Sequence, residues 1–245
     1  MKVTALWRHP IKSHGREALT RVTLTQGESM PYDRLWAIAH EATKADGTEW
    51  AACQNFGRVA KTPALAAIST TLDERTETIT LHHPDQPDLT VQPDTEKSRL
   101  INWITPLCDA SRAQPTDVFR LEGRGFTDSP FASVSLCNVA SQTALEEIAQ
   151  APLQSERWRG NFWFDGAAAW DEFDWVGREM RLGTALLKIE APIRRCMATA
   201  ANPQTGLRDV DTLKALNTLG HQDFGIYASI IKSGDVACGD QLELV

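Results

Sequence analysis

The feature that most constrains this chain is the way turn residues cut its apolar segments short. "VTALWRHP", "ALTRVTLTQ" and "DRLWAIAHE" are each 8 or 9 residues long and rich in β-branched and aromatic types. Gly15 and the stretch from Gly27 to Pro31 divide them. Segments of that length read as strands rather than helices. "ETITLHH" and "DLTVQ" continue the pattern around a turn at Pro84 to Asp88, and "ALLKIEA" and "GIYASIIKSGDVACGDQLELV" resume it near the C-terminus. Gly234-Asp235 and Gly239-Asp240 read as turns inside that last segment. Many short strands cannot bury their faces singly, so they argue for a barrel or sandwich with appended helices.

Three helices interrupt the strands. Glu96 to Leu107 carries Leu100, Ile101, Ile104 and Leu107 on one face, with Thr95 as its expected N-cap. Val139 to Gln150 follows Asn138 as cap, with Leu145 and Ile148 inward and Pro152 at its end. Thr212 to Leu219 follows Asp211 and stops at Gly220. The expected class is therefore α+β and β-rich. A chain of 245 residues holds one large domain or two small ones. The Gly123/Gly125 region between Arg120 and Pro130 is the expected seam, dividing residues 1–120 from 121–245.

Composition excludes several classes of function. The net charge is −7 and the pI about 5.4, so bulk charge does not drive binding to nucleic acid or to an anionic membrane. No apolar run approaches the ~20 residues of a spanning helix. Trp7, Arg8 and His9 interrupt any apolar leader, so the expected location is cytoplasmic. The five cysteines are scattered and form no CxxC pair, which argues against a disulfide framework, a zinc knuckle or a cysteine-ligated cluster. The six histidines show no HExxH spacing. Any metal would use one thiolate, with its other ligands coming from a cofactor.

"APIRRCMATAANPQTGLRD" is the segment best suited to that role. Cys196 follows Arg194 and Arg195 and precedes a small polar turn through Asn202-Pro203 and Thr205-Gly206. Neighbouring cations favour a thiolate, and arginine forks suit phosphate. A buried core cysteine is the plainer reading of the same residues. Three other stretches hold polar clusters. "HPIKSHG" sets Lys12 and Ser13 before a glycine turn, where an anion could sit. "YDRLW" carries Asp33 and Arg34. "ERWRGNFWFDGAAAWDEFDW" interleaves four tryptophans with Arg157, Arg159 and Asn161, a pattern that suits either core packing or a wall for a flat ligand.

Together and in order, "HPIKSHG", "YDRLW", "FTDSPFASVSLCNVAS", "RWRGNFWFDG…AWDEFDWVG", "RRCMATAANPQTG" and "DFGIYASIIKSGDVACGD" resemble the MOSC proteins. This is the molybdenum-cofactor sulfurase C-terminal domain family, here with its N-terminal β-barrel partner, and the chain is similar to its amidoxime-reducing components and their bacterial counterparts. The resemblance implies a MOSC-type β-barrel beside an N-terminal barrel-like part. It implies a molybdenum–molybdopterin cofactor, with Cys196 as thiolate ligand to the metal. Lys12, Ser13, Arg34, Ser141, Arg159, Asn161, Arg195, Thr199 and Tyr227 are the implied cofactor-binding positions. Asn202 stands where the family commonly has a catalytic Asp, and Gly160 replaces a proline, which would present Asn161 less rigidly. The implied activity is reduction of N-hydroxylated compounds. No ferredoxin-like domain follows Val245, so electrons are expected from a separate ferredoxin-, flavodoxin- or cytochrome-type protein. A cofactor or sulfur carrier, with a persulfide on Cys196, is the alternative. A cysteine–histidine hydrolase using His14 or His221 ranks below both.

Overall fold

The computed structural model describes all 245 residues, Met1–Val245. Its fifteen strands are β1 (Lys2–Arg8), β2 (Glu17–Leu19), β3 (Arg21–Leu24), β4 (Trp36–His40), β5 (Ser69–Asp73), β6 (Thr78–His83), β7 (Gln86–Val91), β8 (Pro115–Arg120), β9 (Val134–Asn138), β10 (Phe162–Asp165), β11 (Glu179–Leu182), β12 (Ala185–Arg194), β13 (Asp223–Lys232), β14 (Gly234–Ala237) and β15 (Leu242–Leu244). Three helices accompany them: α1 (Lys97–Ile104), α2 (Val139–Ala149) and α3 (Thr212–Asn217). The molecule is β-rich with few short helices, as its turn punctuation predicts.

Eight strands form one sheet in the order β15-β11-β12-β13-β9-β10-β1-β2, antiparallel except where β9 meets β10. The sheet curls into a half-barrel whose two sides meet near the chain termini, at the bridge between Lys2 and Gln241. Leu242 N–H donates to Met1 O (2.9 Å), Val3 N–H to Asp240 O (2.9 Å) and Gly239 N–H to Val3 O (2.8 Å). One edge of β1 is thus shared, its first residues with 239–242 and its last with β2. Closure satisfies edge groups that would otherwise be open to another strand. Inside lies a core of 19 buried residues, including Leu6, Leu136, Phe162, Phe164, Leu187 and Ile226. A second core of 16 buried residues, with Trp36, Ile38, Ile79 and Leu100, joins the β4–β8 ribbon, the β5-β6-β7 meander and α1.

Several local expectations need correction. "ALTRVTLTQ" splits at Thr20 because the chain changes partner there: β2 pairs with β1, whereas β3 pairs with β14. Gly234 opens β14 rather than a turn. A Cβ there would lie 2.3 Å from Ala185 N, so the glycine permits close approach of two backbones. Thr95 does not cap α1, since its hydroxyl donates to Gln92 Oε1 (3.1 Å) and no side chain caps this helix. α1 stops at Ile104, before Pro106, and continues as a single tighter turn to Leu107. α2 ends on left-handed Gln150, before Pro152, and Ile148 faces solvent while Leu145 is buried. Asn138 and Asp211 do cap their helices, accepting from Ala140 N (3.0 Å) and Lys214 N (2.9 Å).

Candidate functional site

A cavity of about 300 Å³ opens between the two cores. Nine of the eleven site residues expected from sequence line it: Lys12, Ser13, Arg34, Arg159, Asn161, Arg195, Cys196, Thr199 and Tyr227. Lys12 and Ser13 come from the turn after β1, Cys196 and Thr199 from the loop after β12, and Tyr227 from β13. Three of the nine, Ser13, Arg34 and Arg159, hold left-handed backbone at φ of 65°, 55° and 51°. A non-glycine residue in that region costs roughly 1–2 kcal/mol. Such strain gathers where function needs a particular geometry.

Positive charge dominates the lining. Lys12 Nζ donates to Phe126 O (2.8 Å) and pairs with Asp128. Arg34 pairs with Asp33, and its other arm donates to Arg159 O (2.9 Å). Arg157 lies 3.2 Å from Asp209. Arg159 is different: Nη1 reaches Gly15 O (3.2 Å), and the buried Nη2 has no partner. Burial and then the charge of Arg34 push the Arg159 guanidinium down to about 9. A buried donor without an acceptor is costly, so this corner of the cavity suits an anion. The same charges act on the histidines behind it. Burial, then Arg159 and Arg34, take His9 down to about 3. Burial raises Asp33, yet Arg34 and the hydrogen bonds with His9 hold it well below the usual carboxylate range.

Cys196 is exposed on the cavity wall. Arg195 does not turn toward it. Its guanidinium donates to Phe224 O (2.6 and 2.8 Å) and Trp158 O (2.8 Å), which fixes the end of β12 against β13. Asn161 is rigid despite Gly160: Oδ1 accepts from Ser135 N (3.0 Å) and Oγ (2.9 Å), and its own N–H donates to Ser135 Oγ (2.9 Å). Tyr227 meets Phe131 edge-on, and burial pushes its hydroxyl up to about 12, so it remains a donor at neutral pH.

Two expected site residues lie elsewhere. Ser141 is fully buried and donates to Glu172 (2.8 and 2.9 Å), tying α2 to the segment after β10. Asn202 holds its own turn, donating to Asp209 Oδ2 (2.7 Å) and accepting from Gln204 N (2.8 Å). Neither lines the cavity, and neither do His14 and His221. Of the four clustered tryptophans only Trp158 reaches the cavity, stacked on Phe224 at 3.9 Å; Trp163 and Trp175 are core residues. Sequence reasoning missed Asp128, Cys53 and Arg58, which also line the cavity. Asp128 lies in the "FTDSPFASVSLCNVAS" stretch, where nothing marked it as a site residue, and the loop of Cys53 and Arg58 carries no motif, so only the fold brings those two there. No group of three or more His, Cys, Asp or Glu side chains gathers to hold a metal, and no helix is long and apolar enough to cross a membrane.

The family model for the MOSC domain matches residues 124–243, and that for the MOSC N-terminal beta barrel domain matches residues 1–117. The chain therefore belongs to the MOSC family. A molybdenum cofactor sulfurase of Drosophila grimshawi is 30% identical over 97 residues, 37% of this chain and 12% of that protein. One of Drosophila mojavensis is 29% identical over 104 residues, 42% of this chain and 13% of that protein. The chain thus matches only about an eighth of the length of those two relatives. Among solved structures, the YuaD protein of Bacillus subtilis is 14% identical with a TM-score of 0.47, covering 99% of this chain and 94% of its own. YiiM of Geobacillus stearothermophilus is 23% identical with a TM-score of 0.35, covering 46% and 53%.

Proposed function

We propose that this chain binds a molybdenum–molybdopterin cofactor and reduces N-hydroxylated compounds, with electrons from a separate ferredoxin-, flavodoxin- or cytochrome-type protein in the cytoplasm. The observation that carries the reading is an exposed thiol, Cys196, sharing one cavity with a buried guanidinium nitrogen of Arg159 that lacks an acceptor. A thiolate suits a metal already bound by sulfur, and the guanidinium suits a phosphate. Membership of the MOSC family and partial likeness to molybdenum cofactor sulfurases support it.

In this reading Arg159, Arg34, Lys12 and Ser13 bind the anionic tail of the cofactor, and Cys196 ligates the metal. When bound, the cofactor supplies the two-electron reduction that turns R–NH–OH into R–NH2 and water, with two protons taken up. Arg195 positions the Cys196 loop through its three carbonyl bonds. Tyr227 keeps its proton and offers a hydrogen bond into the cavity. Asn161 and Ser135 lock the wall beside Tyr227, whose strand partner is Ser135, so the ligand meets a preformed surface.

Cofactor-loaded protein, re-reduced by methyl viologen, should convert benzamidoxime to benzamidine, and Cys196→Ala should lower the rate at least ~100-fold. A loaded protein that turns over no amidoxime or hydroxylamine would contradict the reductase reading. It would favour the second reading, a carrier of cofactor or sulfur on Cys196, which the 97-residue likeness to a sulfurase supports.

A further inference from the structure

Seven cations line the cavity, and one of them, Arg195, is bound to the carbonyls of Phe224 and Trp158. Lys12, Arg34 and Arg157 each have a carboxylate partner, in Asp128, Asp33 and Asp209. Arg159, at the inner wall, offers its free nitrogen to the cofactor under the reading above. Arg58 and Arg194 also line the cavity, and neither has a carboxylate oxygen within 4.0 Å. Arg58 is half-buried on the loop after β4, where its one side-chain contact is Cys53 Sγ at 3.8 Å. Arg194 is exposed at the end of β12 and donates no side-chain hydrogen bond. Lys61 and Arg208 do not line the cavity, but Arg208 holds the backbone of Ala60, which does. Arg208 donates to Ala60 O (2.8 Å), and neither of these two has a carboxylate within 4.0 Å. Two cations without a carboxylate partner, Arg58 and Arg194, therefore line one cavity in a chain of net charge −7. Gathered cations without partners raise the local potential and draw anions in.

We propose that Arg58 and Arg194 form an anion-reading subsite at the mouth of the cavity, so that the compound reduced here carries a carboxylate or phosphate remote from its N–O bond. The proposal rests on the reductase reading for the chemistry, but not for the binding. The cofactor's own tail is served by the inner residues, which leaves the mouth pair for a second anion. The planar guanidinium fork binds carboxylate and phosphate bidentately alike, and they are separated by testing each.

The test compares 4-carboxybenzamidoxime and 4-phosphonobenzamidoxime with benzamidoxime, using cofactor-loaded protein and reduced methyl viologen. The quantity read is the ratio of kcat/KM for the charged and the neutral compound. Wild type should favour a charged compound, and Arg58→Gln/Arg194→Gln should lower the ratio roughly 30-fold, the scale of one or two charge-assisted bonds. Arg58→Lys/Arg194→Lys should retain most of it, and added salt should weaken it. Binding of 4-carboxybenzamide against benzamide, measured by calorimetry on the same samples, should shift in parallel and needs no turnover. Pterin fluorescence per chain shows that the variants remain loaded. An unchanged ratio together with unchanged binding overturns the subsite. So does an unchanged ratio with slower reduction by a protein donor, because the cations would then serve an acidic partner. Absence of turnover with all compounds in the wild type counts against the reductase reading alone, and the binding arm then decides the subsite.

Discussion

A Cβ on Gly160 would stand 2.5 Å from Cys137 Sγ, a distance real atoms do not tolerate. The buried thiol fills the space that any side chain at position 160 would take, and burial drives it up to about 12, so it acts as a small hydrophobe. Gly160→Ala should therefore cost about 1–3 kcal/mol by overpacking. Cys137→Ala should recover part of that loss, and a double-mutant cycle by urea unfolding would measure the coupling; additive effects would contradict the contact. The histidines give a second prediction at this scale. His9 and His14 fall to about 3 and about 4, both chiefly through burial, from 6.5 in the open chain. Both are neutral in either state above pH 6.5. Below it the unfolded chain takes up protons that the fold refuses, so stability falls by roughly 1.4 kcal/mol per pH unit per histidine until the folded values are reached. Urea midpoints at pH 7, 6 and 5 should show this slope, and His9→Gln should flatten it. A midpoint independent of pH over that range would refute the assignment. At this scale the sequence was partly legible. Lys12, Arg34, Arg159 and Cys196 stood out by type and order, but the left-handed backbone at Ser13, Arg34 and Arg159 had no glycine to announce it.

The elements show which local signals survive tertiary contact. Asn138 and Asp211 could be read as caps because the donors they satisfy lie two and three residues ahead. Thr95 could not be excluded, since its rival partner Gln92 sits in the preceding loop. Ser141 belongs here too. It and Asn138 donate to Glu172, whose carboxyl is fully buried and raised by that burial. Ser141→Ala should therefore lower stability by about 1–2 kcal/mol by leaving Glu172 short of a donor, while pterin bound per chain stays at the wild-type level. Pterin loss without loss of stability would return Ser141 to the cofactor site.

For the whole molecule, the barrel depends on contacts between its first and last residues. Leu242 is fully buried, and its N–H donates to Met1 O. Leu242→Ala should cost about 2–5 kcal/mol and should expose β15 to proteolysis before β4 or β8; uniform cleavage across the chain would contradict a local opening. Strand length and turn spacing narrowed the class to a barrel or sandwich, and the family resemblance pointed to the barrel. The mouth of the cavity was not legible in this way, because Cys53 and Arg58 come from a loop without any motif and reach Cys196 only through the packing of the two cores. The most direct test of the central claim is molybdenum and pterin per chain. Wild type and Cys196→Ser would be prepared side by side from a molybdate-fed host that makes the cofactor. Near-stoichiometric pterin and metal in the wild type, with metal content or its spectrum altered in Cys196→Ser, is the predicted result. No pterin and no metal in either protein, even after reconstitution with free cofactor, would contradict the account and leave Cys196 an ordinary surface thiol.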